Sequence, residues 1–216
     1  MTAALGPALA IAAATVGALH SLAPDHWVPV AAVSRSRGWS LRRTARIALL
    51  CGFGHVTVSA TLGLVALVSG VAVIEALGAR SGAVAGVLLI GFGAAYALWG
   101  ARHLIARRLH GHDHAHFDHV HDASKTTVWT LFAIYCADPC VAVVPIVFAA
   151  APLSRGVTLA IVLVYELATI ATMVGLTTAA RAGASVIRGR WAERYGDSAA
   201  GGLIVATGVV VAILGW

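Results

Sequence analysis

Charge is what this chain has least of. Only 11% of its 216 residues are Asp, Glu, Lys or Arg, against roughly 25% in soluble globular domains. With 59% hydrophobic residues and a mean hydropathy of +0.86, that shortage argues against a water-soluble fold and for a chain that lives in lipid. Basic residues outnumber acidic ones 15 to 9, yet they form no nucleic-acid-binding stripe and gather instead in the gaps between apolar runs. Cysteine is scarce too. Cys51, Cys136 and Cys140 lie in apolar segments, and their odd count builds no secreted disulfide framework. No Lys or Arg precedes Arg35, so the positive leader of a cleavable signal peptide is missing and the first apolar segment is expected to stay in the mature protein. Neither a G-x4-G-K-[ST] phosphate loop, a nucleophile elbow nor an H-E-x-x-H motif occurs. Enzymatic activity and a prosthetic group are therefore not expected.

What the chain does have is six apolar stretches, at 3–33, 47–74, 81–101, 128–151, 157–180 and 199–214, each at or near the ~20 residues a helix needs to cross a bilayer. An all-α integral membrane protein with six transmembrane helices is expected. Every basic residue except Arg80 and Arg155 falls in the first, third or fifth connection. The positive-inside rule then places those connections in the cytoplasm and both termini outside, in a plasma (inner) membrane.

The long third connection divides the chain into a three-helix half at 1–106, a His-rich loop at 107–125 and a second three-helix half at 126–216. Three spans per half make the halves enter the membrane in opposite directions, as an inverted repeat. Ala23-Pro24-Asp25-His26 in the first span and Ala137-Asp138-Pro139-Cys140 in the fourth are its traces. Paired Pro-broken helices, here 1 and 4, are the best sequence pointer to a transporter's binding site. In the third span Gly78, Gly82 and Gly86 recur every fourth residue, a spacing that permits close helix packing in lipid.

Six ionisable residues lie within the spans: His20, Asp25, His26, His55, Asp138 and Glu166. An Asp-like group costs about 2.5 to 3.5 kcal/mol at mid-membrane on insertion scales, and such groups normally face the bundle interior and mark an ion or proton route. On a straight helix His20 and His26 would point about 240° apart, at about 100° per residue. Pro24 changes this, because it has no N–H for the His20 carbonyl and disfavours helical geometry at Ala23. A break there is expected to gather two imidazoles, a carboxylate and a free carbonyl oxygen round one point. Imidazole and carboxylate donors suit first-row divalent ions such as nickel, cobalt or zinc better than copper(I). The second span adds His55 within Gly52-Phe53-Gly54-His55-Val56-Thr57, where small neighbours admit another backbone.

The H-x4-D-H pattern at His20, Asp25 and His26, followed one helix later by F-x-H-x-T-V at Phe53, His55, Thr57 and Val58, resembles the nickel/cobalt transporter family and its broader permease relatives. The resemblance implies that His20, Asp25 and His26 form the metal-recognition core with His55 in support, and that the cargo is Ni2+ or Co2+, with Zn2+ an alternative. The departures are that the family usually has eight spans and further acidic motifs, whereas this chain has six and offers Asp138 and Glu166. A shorter, divergent relative is expected.

In the second half Cys136, Asp138, Cys140 and Glu166 are candidate ligands or proton carriers, with Glu166 expected to match His55 when the halves are overlaid. The loop holds His110, His112, His114, His116, His119 and His121 among Asp113, Asp118 and Asp122, a metal-buffering composition without a closed site. The expected partners are the bilayer and a divalent ion, with a homo-oligomer or accessory subunit left open. Two other readings compete. A membrane thiol-redox carrier would use Cys136 and Cys140 but needs a redox cysteine in each half; an exporter of a small organic solute would show no metal phenotype.

Overall fold

A computed structural model describes residues 2–69, 83–84, 86–102, 118–138, 142–184 and 190–214. These residues form helices and no strand. α1 spans Thr2–His20, a 3-10 turn Pro24–His26, α2 Val28–Ser36 and α3 Leu41–Ser69. α4 covers Gly86–Arg102. α5 is Asp118–Ala137, α6 Val143–Ala150, α7 Arg155–Ala184 and α8 Arg190–Leu214.

Among the described residues three helices are long and apolar enough to cross a membrane: Leu41–Leu67, Arg155–Gly183 and Tyr195–Leu214. Leu5–His20 and Gly86–Arg102 are apolar but shorter. The stretches expected to give spans 1 and 4 are not single helices. α1 stops at His20 and α2 starts at Val28, while α5 stops at Ala137 and α6 starts at Val143. Large apolar side chains face outward all round the bundle, among them Ile11, Phe53, Leu98, Leu167 and Ile213. An aqueous surface would disfavour so much exposed apolar area.

The order of elements is alike in the two parts of the chain: α1, a break, the 9-residue α2 and the long α3, then α5, a break, the 8-residue α6 and the long α7. The packing repeats as well: α1 lies on α7 as α5 lies on α3, and α2 meets α7 as α6 meets α3. α3 and α7 also pack against each other.

α2 is the innermost helix, with every residue from Val28 to Ser34 buried, as a short helix apolar on all sides must be. It ends in a Schellman cap. Gly38, at φ 62°, takes the left-handed conformation a side chain would resist, and Trp39 N–H donates to the Ser34 carbonyl at 2.9 Å. The buried Trp39 then turns the chain into α3.

Glycine does bring helices together, although by a different spacing from the one expected. Gly86 lies on α4, while Gly78 and Gly82 are outside the described residues. The working spacing is seven: Gly86, Gly93 and Gly100 on α4 meet α8, where Gly201 and Gly208 face back. A Cβ at Gly93 would come within 2.7 Å of the Val205 nitrogen, and one at Gly208 within 2.8 Å of the Gly86 carbonyl oxygen. Seven residues make nearly two whole turns, so the glycines form one antiparallel seam along both helices.

Two apolar clusters fill the interior. One joins Val30, Val33, Trp39, Ile47, Cys51, Tyr96, Leu131, Tyr135, Met173 and Ile204; the other joins Ala13, Ala66, Val143, Val147, Ile161 and Tyr165. Along α3 the first includes Cys51 and the second Ala66. His55 falls between them.

Candidate metal centre

The break after α1 follows from Pro24. Ala23 takes φ −55°, ψ 132°, the extended geometry favoured before proline, and the chain resumes as one 3-10 turn. One expectation about this turn is corrected. The His20 carbonyl is not left free, because Ala23 N–H reaches back to it at 3.1 Å; the tightened turn supplies the donor that proline removed.

The break undoes the 240° separation. His20 and His26 lie with ring centroids 4.5 Å apart, and His55, from the middle of α3, completes the group at 4.9 Å from His26 and 6.4 Å from His20. One ligand atom from each of the three lies within 4.8 Å of the others. His26 and His55 are 3% and 1% exposed. The Nε2 atoms of His20, His26 and His55 are all buried without a hydrogen-bond partner. A buried polar atom with no partner costs about 1 to 3 kcal/mol, and here three such atoms share one place.

Their hydrogen bonds fix which nitrogen is bare. His26 Nδ1 lies 3.1 Å from Asp25 Oδ1, and His55 Nδ1 lies 3.3 Å from the Tyr135 carbonyl oxygen. A carbonyl oxygen only accepts, as does an ionised carboxylate, so both Nδ1 atoms carry a proton, and in its neutral form each ring presents its lone pair at Nε2. Histidine ligands of metals are oriented by this kind of outer contact. Around an ion at about 2.0 to 2.1 Å, tetrahedral nitrogens sit about 3.4 Å apart. The triad offers three donors at somewhat wider spacing.

Asp25, buried at 4% exposure, stands behind His26 rather than with the converging nitrogens. Asp138, at the bend ending α5, comes within hydrogen-bonding reach of Asp25 and so links the second half to the cluster. Cys136, half-buried at the end of α5, lies against Gly54, where a Cβ would approach its Sγ to 2.7 Å. Glu166 is half-buried on α7 and does not join the triad. Counted from the starts of α3 and α7, His55 and Thr169 hold the same position, and Glu166 lies three residues earlier on α7. Cys140, His110, His112, His114 and His116 are outside the described residues, as are the side chains of His119 and His121 on the first turns of α5.

Sequence reading missed Tyr135. Its carbonyl holds His55, and its buried hydroxyl donates to the His26 carbonyl at 2.9 Å. The signal available was a tyrosine inside an apolar span, whose hydroxyl needs a partner when buried.

No protein-family model, curated protein or solved structure matches the chain.

Proposed function

We propose that the chain is a membrane carrier for a divalent transition-metal ion, nickel or cobalt first, and that His20, His26 and His55 bind the ion in transit. The observation that carries this reading is the meeting of three unpartnered Nε2 atoms at a helix break inside an apolar bundle. Three neutral imidazoles with ionised Asp25 behind them suit a borderline divalent ion, and the H-x4-D-H resemblance to nickel/cobalt permeases points the same way.

In this reading α1 with α2, α3, α4, α5 with α6, α7 and α8 make six crossings in two inverted halves, and the halves move against each other around the ion. The repeated order of elements and their pairings support that arrangement. The arginine-rich ends face the cytoplasm, and the His-rich loop, joining α4 to α5 on that side, buffers metal. A divalent ion gains or loses about 4.6 kcal/mol per 100 mV, twice the single-charge value, which suffices to drive uptake without ATP. The test is radiolabelled nickel or cobalt flux in cells producing the intact chain, beside His20→Ala and Asp25→Ala variants at matched abundance. Flux that both substitutions abolish supports the carrier, and its sign gives the direction; flux unchanged by the protein for nickel, cobalt and zinc overturns it.

A further inference from the structure

At the far end of α2 from the triad, one hydroxyl ties together residues of both halves. Tyr96 Oη, on α4, accepts from Arg37 Nε at 2.8 Å, donates to Asp197 Oδ1 on α8 at 3.0 Å and lies 2.8 Å from Ser36 Oγ. The Arg37 guanidinium also reaches Thr127 Oγ1 on α5 at 3.4 Å and sits over the Trp99 ring, 4.4 Å from its centroid. Arg181 on α7 donates to the Trp39 carbonyl at 3.0 Å, anchoring the turn that carries Arg37. This group shares no residue with the metal centre.

Its position gives it a role. α2 is buried along its length and runs from Val28, two residues past His26, to Ser36, about 12 Å at 1.5 Å per residue. One end carries the triad's second histidine and the other carries the Arg37 contacts. There Arg37, Tyr96, Thr127 and Asp197 tie α2, α4, α5 and α8 to one another. A charge-assisted, partly buried network of this kind has few alternative partners once parted, so it favours discrete closed and open arrangements over gradual loosening.

We propose that the Arg37–Tyr96–Asp197 clasp is the gate on the arginine-rich face, so that an ion held by the triad exchanges with that side only when the clasp parts. The inference rests on the carrier reading, and its test separates the two. The intact chain, with Cys51, Cys136 and Cys140 replaced by Ala and the six loop histidines by Asn, carries either Val33→Cys or Ala13→Cys. Val33 is wholly buried on α2 one turn before Arg37, and Ala13 is wholly buried on α1 beyond the triad. A membrane-impermeant maleimide is applied to the arginine-rich face of sealed vesicles for Val33→Cys and to the opposite face for Ala13→Cys, and Co2+ binding is measured on the same proteins.

Tyr96→Phe deletes one oxygen and three contacts, and Asp197→Asn keeps the side-chain shape. Each is expected to speed labelling of the Val33→Cys thiol on the order of tenfold while leaving the Ala13→Cys thiol and Co2+ affinity unchanged. Unchanged labelling of Val33→Cys in both variants overturns the gate. So does an equal rise at both sites, which would mean general loosening. Absence of Co2+ binding in the parent protein would instead overturn the carrier reading.

Discussion

The histidine triad and the Arg37 clasp are both polar clusters in an apolar bundle, and they are built in opposite ways. In the clasp the central Tyr96 hydroxyl has partners on three sides, so the cluster completes itself. In the triad the outer nitrogens of His26 and His55 are held by Asp25 and Tyr135 while three inner ones are left without partners. Burial alone is thus no mark of a ligand site. What distinguishes one is polar atoms held in place from behind and unsatisfied in front, which a structure tolerates when something else supplies the missing bonds.

That contrast can be broken at several strengths. The largest effect is expected from His55→Ala, which removes one of three donors: Co2+ or Ni2+ affinity should fall by more than the roughly 100-fold typical of the strongest outer-contact losses, measured by equilibrium binding to chain with its loop histidines replaced by Asn. Retained affinity would separate the triad from metal binding. Gly201→Leu should act on the other cluster by forcing α4 and α8 apart, since a Cβ there already meets the backbone of Ala97 and the Gly93 carbonyl oxygen. Overpacking of that kind costs at least about 1 to 3 kcal/mol, to be read as a lowered thermal midpoint in detergent; an unchanged midpoint would show that the glycine seam is not tight.

Smaller changes sharpen the comparison. Asp25→Asn replaces an acceptor-only group with one that can also donate, loosening the hold on the His26 tautomer. Metal affinity should fall about 10- to 100-fold with little change in folded yield, and an equal loss of both would make Asp25 a folding residue. Tyr135→Phe deletes the bond to the His26 carbonyl and keeps the carbonyl that holds His55. About 1 kcal/mol is at stake, seen as a several-fold weaker affinity. Phe53, 62% exposed beside His55, points away from the triad, so Phe53→Ala should shift stability by no more than about 0.5 kcal/mol and leave affinity unchanged.

How much of this was legible beforehand varied with the physics involved. The break at Pro24, and with it the gathering of His20 and His26, could be read directly, because a missing N–H and an ionisable group in lipid are local facts. That Asp25 would orient a histidine instead of joining the converging nitrogens was not legible, since it depends on which way a 3-10 turn rotates the carboxylate. Tyr135 acts in part through a backbone carbonyl, which any residue would present, so its side chain carried only half the signal. Arg37 was read as topology alone; its pairing with Tyr96 and Asp197 depends on the register between α2, α4 and α8. The glycine seam was noticed at a spacing of four, the familiar one in lipid, while the contacts recur at seven.

The most direct test of the central claim is the coordination of Co2+ bound to the full chain, with the six loop histidines replaced by Asn, observed by X-ray absorption. Three imidazole nitrogens per ion, reduced in number or lost with the bound metal in His20→Ala, His26→Ala and His55→Ala, is the result predicted. No bound ion, or an ion held by oxygen alone and indifferent to those substitutions, would contradict it.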